Sequence, residues 1–413
     1  MVRLGSNQGV KVLIAGSILQ LFFGVIYVWS VFVQPVQNTF GWAAQDVKFT
    51  VNLMLCFFVL GILTAGKLQA RLKASYIVLA GGIMMAFGMF VTSILPMAAP
   101  FWSIWVTYGI IGGFGVGLAY NTIISSAQKW FPKKRGLATG ISVFTFGFSS
   151  VIFAPLAEQM IQSEIFGLTL TLQVLALAFC VATLALFRFI KLPENVAGPA
   201  INFGGKQYTT GQILKTSEFY LIFFSMMFLT AAFFIINPSL RLLAPMYGLE
   251  AAFGVTLVMI AGLANSAGRL VVPLLGEKIG RREAVLTILL ITAVGTASLC
   301  VATGVLFVIV IAAIAFCYGG SSGIYPLVTA DHFGLKNVGA NYGAVMVGFM
   351  MSVLLFPYAI GQLNTGAGIV VADNVGKYLA LAAVAVIGAV LICLLIIKAR
   401  KGDKENAHNR NTN

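Results

Sequence analysis

The feature that most constrains the fold is a succession of apolar runs, each about 20 residues long, separated by short polar segments. A helix of about 20 apolar residues crosses the hydrocarbon layer of a membrane, so runs of this length predict transmembrane helices. Only 9% of the residues are charged, whereas a soluble domain carries about 25%. We therefore predict an all-α polytopic membrane protein with twelve spans, at residues 10–33, 47–66, 76–95, 102–126, 136–158, 167–189, 219–243, 251–275, 283–303, 305–329, 339–361 and 374–397.

The distribution of basic residues indicates how the spans are oriented. An even number of spans places both termini on one side of the membrane. Of the 26 Lys and Arg residues, all but four lie in the N-terminus, in loops that follow even-numbered spans, or in the C-terminal tail. The exceptions are Lys48, Arg241 and Lys377 on the other side, and Arg269 within a span. Because basic loops stay in the cytoplasm, we predict a multi-pass protein of the cytoplasmic membrane with both termini inside.

The net charge of +14 therefore reports topology, and it does not indicate a nucleic-acid partner. One longer polar segment divides the spans into two sets of six, as two bundles joined by a linker would. The predicted organisation is an N-terminal six-helix bundle at 1–190, a cytoplasmic linker at 191–217, a C-terminal six-helix bundle at 218–398 and a disordered cytoplasmic tail at 399–413.

Arg269 is the one cation that lies well inside an apolar span, and no acidic residue is present on the same helix. A charge at this depth costs at least a few kcal/mol unless it faces a cavity or a partner. Helical spacing places small and polar residues on its face, namely Gly262, Asn265, Ser266 and Pro273. The pattern predicts an anion site within the membrane. The alternative is an arginine that extends to the lipid headgroups.

Twelve spans in two halves, with a polar linker between them, resemble the major facilitator superfamily. The loop signature of that superfamily, a glycine, an acid and several cations, is degenerate here. Ala70 stands where the first loop should have its acid, and Glu277 supplies the acid of the second. In the superfamily these loops form a cytoplasmic gate, so the resemblance implies gate residues at Arg71, Glu277, Arg281 and Arg282. The alternative is that these charges only set the topology.

A finer resemblance, over nearly the whole chain, is to the oxalate–formate antiporter family and related bacterial monocarboxylate transporters. It rests on residues 24–30, 115–120, 129–140, 265–269, 278–281, 318–321, 331–334 and 341–343. The resemblance implies that Arg269, beside Asn265, binds the carboxylate, and that Tyr27, Tyr120 and Tyr318 line the cavity. A planar guanidinium can bind a carboxylate through two parallel hydrogen bonds. Helix packing or interfacial placement remains the alternative for each tyrosine.

The number of cations in the site determines which anion it suits. Family members that carry the oxalate dianion have a lysine in the eleventh span, and this sequence has Phe349 there. One cation balances a monocarboxylate, whereas a dicarboxylate would leave a negative charge unpaired in a low-dielectric cavity. Lys48 matches a pocket-lining polar position and could supply a second cation. The alternative is that Lys48 faces outward at the end of its helix.

The lack of acidic residues deep in the spans bears on whether protons are coupled to transport. No Asp or Glu lies deep in any span, and Asn265 stands where proton-coupled monocarboxylate relatives have an aspartate. A proton relay normally needs such a group. We therefore expect exchange of small monocarboxylates such as formate, lactate or pyruvate. Proton-coupled lactate or pyruvate symport, with protons as coupling ion, is the first alternative, and oxalate–formate antiport is the second.

Other function classes find little support in the sequence. The five cysteines and two histidines form no metal-ligand spacing, so we predict no cofactor. Paired carboxylates within the spans and a Ser/His/Asp set are both missing, which argues against an enzyme. A sensor that binds the anion without transport is the remaining alternative, although no signalling domain is evident. The predicted partners are the carboxylate substrate and the lipid bilayer, and we expect a monomer.

The single-cation hypothesis gives a test of charge selectivity. We expect oxalate to compete poorly with lactate or formate, and the Phe349→Lys substitution to shift the preference towards dianions. A close pair of opposite charges contributes about 4 kcal/mol at an effective dielectric near 20, and desolvation of the new lysine offsets part of this. Competition in proteoliposomes measures the shift. A wild-type preference for oxalate that Lys48→Gln removes would instead make Lys48 the second cation.

Overall fold

The computed structural model describes residues 7–193, 207–250, 252–360 and 374–411. Residues 194–206 of the predicted linker and residues 361–373 after the eleventh predicted span lie outside this part. Within it the chain is helical and contains no strand. The membrane helices, numbered in chain order, are α1 (Asn7–Phe40), α2 (Ala44–Leu68), α3 (Ala74–Ser93), α4 (Trp102–Trp130), α5 (Arg135–Gln162), α6 (Gly167–Phe189), α7 (Ser217–Ser239), α8 (Phe253–Ile279), α9 (Arg281–Ser298), α10 (Gly304–Phe333), α11 (Val338–Ala359) and α12 (Val375–Asn411).

The predicted all-helical, multi-span architecture is confirmed. Among the described residues, 11 helices are long and apolar enough to cross a membrane. The twelfth predicted span is α9, which has 18 residues and begins with Arg281, Arg282 and Glu283. These three charges set α9 apart from the 11 helices that are apolar enough to cross a membrane. The last helix extends beyond the predicted span, to Asn411, because the residues after Lys398 include several with high helix propensity.

Four of the helices contain irregular turns, which include a 3-10 turn at Phe187–Phe189 at the end of α6. In α1, a 3-10 turn at Gly24–Val28 joins two helical segments. A Cβ atom on Gly24 would lie 1.8 Å from the carbonyl oxygen of Phe146, so glycine is required for α1 to approach α5 there. In α4 a π-helical stretch covers Trp105–Gly112, and α7 ends in a 3-10 turn at Asn237–Ser239. The turn in α1 presents Tyr27 towards the interior of the protein.

The six N-terminal and six C-terminal helices meet along two main contacts. Helix α2 packs against α11, and α5 packs against both α8 and α10. Helix α8 is also closely packed on α10, where a Cβ atom on Gly319 would lie 1.9 Å from the carbonyl oxygen of Asn265. This close approach brings the polar face of α8 next to the middle of α10. The helices around α8 thus come from both halves of the chain.

The end of the linker is held against α10 and α11. The backbone N–H of Tyr208 donates to the carbonyl oxygen of Phe333 at 3.0 Å, and the Asn341 side chain donates to the carbonyl oxygen of Tyr208 at 3.1 Å. A short helix follows at Thr210–Ile213, and a capping box formed by Thr209 and Gln212 starts it. We call the side of the bundle that carries this segment the linker face. Helices α1, α7 and α12 begin or end there.

Candidate functional site

Arg269 lies at the centre of the bundle and only 1% of its surface is exposed. Its Nε–H donates to Oδ1 of Asn265 at 3.0 Å, one helical turn earlier on α8. One of its terminal nitrogens donates to the hydroxyl of Tyr27 at 2.9 Å. A guanidinium has five N–H donors, so these two bonds leave three for another acceptor. A Cβ atom on Gly147 of α5 would lie 2.7 Å from Cδ and Nε of Arg269, so this glycine makes room for the arginine.

Aromatic rings of the N-terminal half surround the guanidinium. Its central carbon lies 5.2 Å from the centre of the Tyr27 ring and 5.7 Å from that of Phe146, distances at which cation–π attraction operates. The Phe146 ring contacts both Tyr27, at 5.7 Å between centroids, and Tyr120, at 4.8 Å. These rings exclude water from the arginine while Tyr27 supplies a hydroxyl. The structure therefore places Tyr27 and Tyr120 around Arg269, together with Phe146.

Two further tyrosines come from the C-terminal half. The hydroxyl of Tyr318 on α10 lies near that of Tyr27, and the hydroxyl of Tyr342 on α11 lies near that of Tyr120. Both hydroxyls are buried, and neither makes a hydrogen bond of regular geometry among the described residues. A buried hydroxyl without a partner costs roughly 1–3 kcal/mol, so these groups are available to a polar ligand. Tyr342 was not among the predicted site residues, although it lies in a stretch that carries the family resemblance.

The remaining predicted site residues occupy different surroundings. Phe349 on α11 is buried and contacts Phe234 of α7 edge-to-face, at 5.1 Å between ring centroids. Phe234 in turn contacts Tyr318 at 5.5 Å, so Phe349 belongs to the aromatic wall beside the site. Lys48 is exposed near the start of α2, and no hydrogen bond or ion pair to it is found among the described residues. Its role in the site therefore stays a prediction.

The charge of Arg269 has no acidic counterpart in the interior. Among the described residues, the buried charged side chains are Arg269 and Lys129, and no Asp or Glu is buried. Lys129 lies in the last turn of α4, at the linker face. The acceptors that Arg269 does have, Asn265 and Tyr27, are neutral. A desolvated cation that has only neutral partners and three remaining donors has the chemistry to bind an anion.

Polar contacts at the linker face join the two halves. Asp331, at the end of α10, accepts from Arg135 of α5 at 2.8 Å and from Arg281 of α9 at 2.6 Å. The backbone N–H of Gly136 donates to Oε1 of Glu277 at 2.7 Å. Nearby, the Asn121 side chain of α4 donates to the carbonyl oxygens of Ile62 and Gly339, at 2.7 and 2.9 Å. These bonds hold α4 and α5 against α8, α10 and α11.

The predicted gate residues take part in this network to different degrees. Arg281 and Glu277 belong to it, whereas the side chains of Arg71 and Arg282 make no hydrogen bond or ion pair within the described part of the chain. The absence of an acid at Ala70 is consistent with the isolation of Arg71. Arg135, Asp331 and Asn121 were not identified from the sequence as gate residues. Their partners in the other half of the chain are 196 and 218 residues away, and no local spacing indicates such pairs.

The opposite face of the bundle differs from the linker face. Over residues 7–193, 207–250, 252–360 and 374–411, four hydrogen bonds join the N-terminal and C-terminal halves directly. Three are the linker-face bonds of Asn121, Arg135 and Gly136, and the fourth is the bond between Arg269 and Tyr27. Among the described residues, no hydrogen bond between the halves is found at the opposite face. The two halves are therefore joined at the linker face and at the centre.

Comparison with known proteins agrees with this architecture. The sequence model of the Major Facilitator Superfamily matches residues 13–357 and, separately, residues 274–412. The chain belongs to this superfamily.

Two relatives match most of the length of this chain. The uncharacterized MFS-type transporter YhjX of Escherichia coli is 27% identical over 343 residues, covering 82% of this chain and 84% of that protein. The oxalate:formate antiporter of Oxalobacter formigenes is 25% identical over 358 residues, covering 82% of this chain and 80% of the antiporter.

Solved structures share the fold of this superfamily member. The proton:xylose symporter XylE superposes with a TM-score of 0.72 and 14% sequence identity, over 94% of this chain and 96% of the symporter. At this identity the likeness concerns the fold alone. The chain is thus a multi-pass membrane transporter of the major facilitator superfamily, with Arg269 at the interface of its two halves.

The linker-face network predicts the effect of removing Asp331. Asp331→Asn removes the ion pair with Arg135 that joins the two halves, which is worth up to about 1 kcal/mol at a partly exposed site. The ratio of the state open at the linker face to the closed state should then rise by up to about fivefold. Double electron–electron resonance between spin labels at the exposed positions Lys73 and Lys336 measures this as a longer distance. Glu283→Gln is the matched control, because Glu283 pairs with Arg400 inside one half. An unchanged distance distribution in Asp331→Asn would contradict the network as a gate.

Proposed function

We propose that this superfamily member exchanges small monocarboxylates, such as formate, lactate or pyruvate, across the cytoplasmic membrane. The observation that carries the proposal is the buried charge of Arg269, which lies at the contact between the two halves and lacks an acidic partner among the described residues. The relative named as an oxalate:formate antiporter supports an organic anion as substrate. The buried interior supplies one central cation, which favours a single carboxylate over two.

The residues around Arg269 have separate roles in the proposal. The free donors of the guanidinium bind the carboxylate, and Asn265 keeps the guanidinium in place through Nε. The hydroxyls of Tyr318 and Tyr342, which have no partner within the described chain, donate to the substrate from the C-terminal half. Tyr120 and Phe146 exclude water from the bound anion and so strengthen its pairing with the arginine.

Transport follows from the position of the site between the halves. A substrate at Arg269 can be reached from one side only when the halves are apart on that side. The described contacts close the linker face, so the structure corresponds to a state closed on that side. The basic loops support a cytoplasmic linker face, with both termini inside. Breaking the Asp331 ion pairs and forming contacts at the opposite face would present the site to the cytoplasm.

Exchange is favoured over proton symport by the interior of the protein. No acidic side chain is buried among the described residues, so no carboxyl group is placed to carry a proton with the substrate. The alternative, proton-coupled lactate or pyruvate symport, would require the substrate itself to carry the proton. Oxalate–formate antiport would require a second cation, for which Lys48 is the candidate.

The role of Arg269 is tested by counterflow of labelled formate, lactate, pyruvate and oxalate in proteoliposomes. Arg269→Gln should abolish counterflow of monocarboxylates and leave the protein folded, since Asn265 and Tyr27 can still bond a neutral amide. Arg269→Lys should retain only a small fraction, because an ammonium cannot form the bidentate pair. Size-exclusion profiles and thermal unfolding of the purified variants control for misfolding.

Arg188→Gln is the matched control for general effects of charge removal. Arg188 lies in the last turn of α6, outside the site. The Arg188→Gln variant should therefore transport at the wild-type rate. Counterflow by Arg269→Gln at the wild-type rate would show that the site lies elsewhere.

A second test of the proposal concerns pH. Short carboxylic acids are ionised between pH 6 and 8, and no buried acid is available as a relay among the described residues. The rate of exchange at equal internal and external substrate should therefore vary by less than about twofold over this range. Measuring it together with uptake into liposomes that lack internal substrate separates the two mechanisms. Strong uptake driven by an imposed inward proton gradient would support symport.

A further inference from the structure

A small apolar pocket lies next to the candidate site, between α7, α8 and α10. Its volume is about 10 Å³, and its lining is aliphatic and aromatic apart from Asn237. On α8 the pocket begins at Ala261, and on α10 it includes Ile311 and Ala315. Nothing in this lining could bind the charged end of an anion. The pocket is about the size of one water molecule, so it could receive a hydrocarbon group only together with the space of a neighbouring side chain.

Phe233 of α7 lies between this pocket and the ring of Tyr318. The ring of Phe233 lines the pocket and also stacks on the ring of Tyr318, with 3.7 Å between centroids and 1° between planes. Tyr318 is one of the tyrosines that surround Arg269. The side chain of Phe233 therefore has the pocket on one side and the wall of the site on the other.

The pocket is near enough for the tail of a bound acid to reach it. The Arg269 guanidinium donates a hydrogen bond to Asn265, one turn earlier on α8. The guanidinium therefore lies about one turn closer to the pocket than the backbone of Arg269 does. Ala261, in the lining of the pocket, is one further turn along α8 from Asn265, and the rise over these four residues is about 6 Å. On α10, Ala315 precedes Tyr318 by three residues, in the same direction along the membrane normal. A carboxylate at Arg269 can thus direct its carbon chain towards Phe233.

We propose that Phe233 is the specificity-determining residue that limits the length of the carbon chain. This inference rests on the proposed carboxylate function. With the phenyl ring in place, the space for the tail ends at Phe233, and only acids with short chains fit. A smaller side chain at this position would join the pocket to the site and admit a longer aliphatic tail, whose burial is favourable.

The test is inhibition of labelled lactate counterflow by straight-chain carboxylates from propionate to hexanoate. In wild-type protein, inhibition should not improve as the chain lengthens. In Phe233→Ala it should improve by about fourfold for each methylene that enters the pocket. Adding Ala315→Leu to Phe233→Ala should refill the pocket and remove this improvement. Phe228→Ala is the matched control, because Phe228 is also on α7 but contacts Phe356, away from the pocket.

Three results would overturn the inference. The first is lactate counterflow by Phe233→Ala with the chain-length preference of the wild type. The second is an improvement that persists after Ala315→Leu is added. The third is loss of counterflow in both Phe233→Ala and Phe233→Leu, which would make the ring a support for Tyr318 only.

Failure of the proposed function would give a different result. Wild-type protein would then show no lactate counterflow at all. Thermal unfolding of purified Phe233→Ala and wild type with and without hexanoate would still decide the inference. Greater stabilisation of the variant by hexanoate supports the pocket as a tail site, and equal stabilisation overturns it.

Discussion

A single cation that has been removed from water determines much of this structure. Burying the charge of Arg269 is costly, and the protein offsets the cost with a neutral amide, a phenolic hydroxyl and the faces of aromatic rings. An acidic partner would have neutralised the site. Because the partners are neutral, the positive charge stays available, and the proposed ligand is an anion. The same arrangement explains why glycine is needed at Gly147, where any larger residue would displace the arginine side chain.

The partners of Arg269 also connect the site to the contact between the two halves. Asn265 belongs to the same helix, but Tyr27 belongs to the other half of the chain. The bond between Arg269 and Tyr27 is therefore both a part of the site and a contact between the halves. In the proposed mechanism, a carboxylate that binds the guanidinium changes this contact directly. Binding at the centre can thus affect the linker-face bonds of Asp331 and Glu277, which hold the same two halves together.

Under the proposed function, specificity within this site depends mainly on shape. The walls are formed by aromatic rings from α1, α4, α5, α7, α10 and α11, and the polar groups they contribute are hydroxyls. One cation selects for one negative charge, and the rings determine how large the rest of the molecule can be. Phe233 and Phe234 are adjacent in sequence, and both contact Tyr318. One of them faces the apolar pocket and the other faces Phe349, so α7 supports two sides of the wall.

The sequence by itself determined the fold class and the multi-span architecture, and it singled out Arg269 as the candidate site residue. These follow from local properties: the length of apolar runs is set by membrane thickness, and a charge within such a run is conspicuous wherever its partners lie. Only the tertiary structure decided which residues meet. The contacts of Tyr27 and Phe146 with Arg269, and of Arg135 with Asp331, join positions from more than 100 to more than 200 residues apart. The extension of α12 was also missed, because polar composition indicates exposure to water and does not by itself end a helix. Tyr342 and Phe233 could not be assigned from spacing, since the orientation of a helix depends on the neighbours against which it packs.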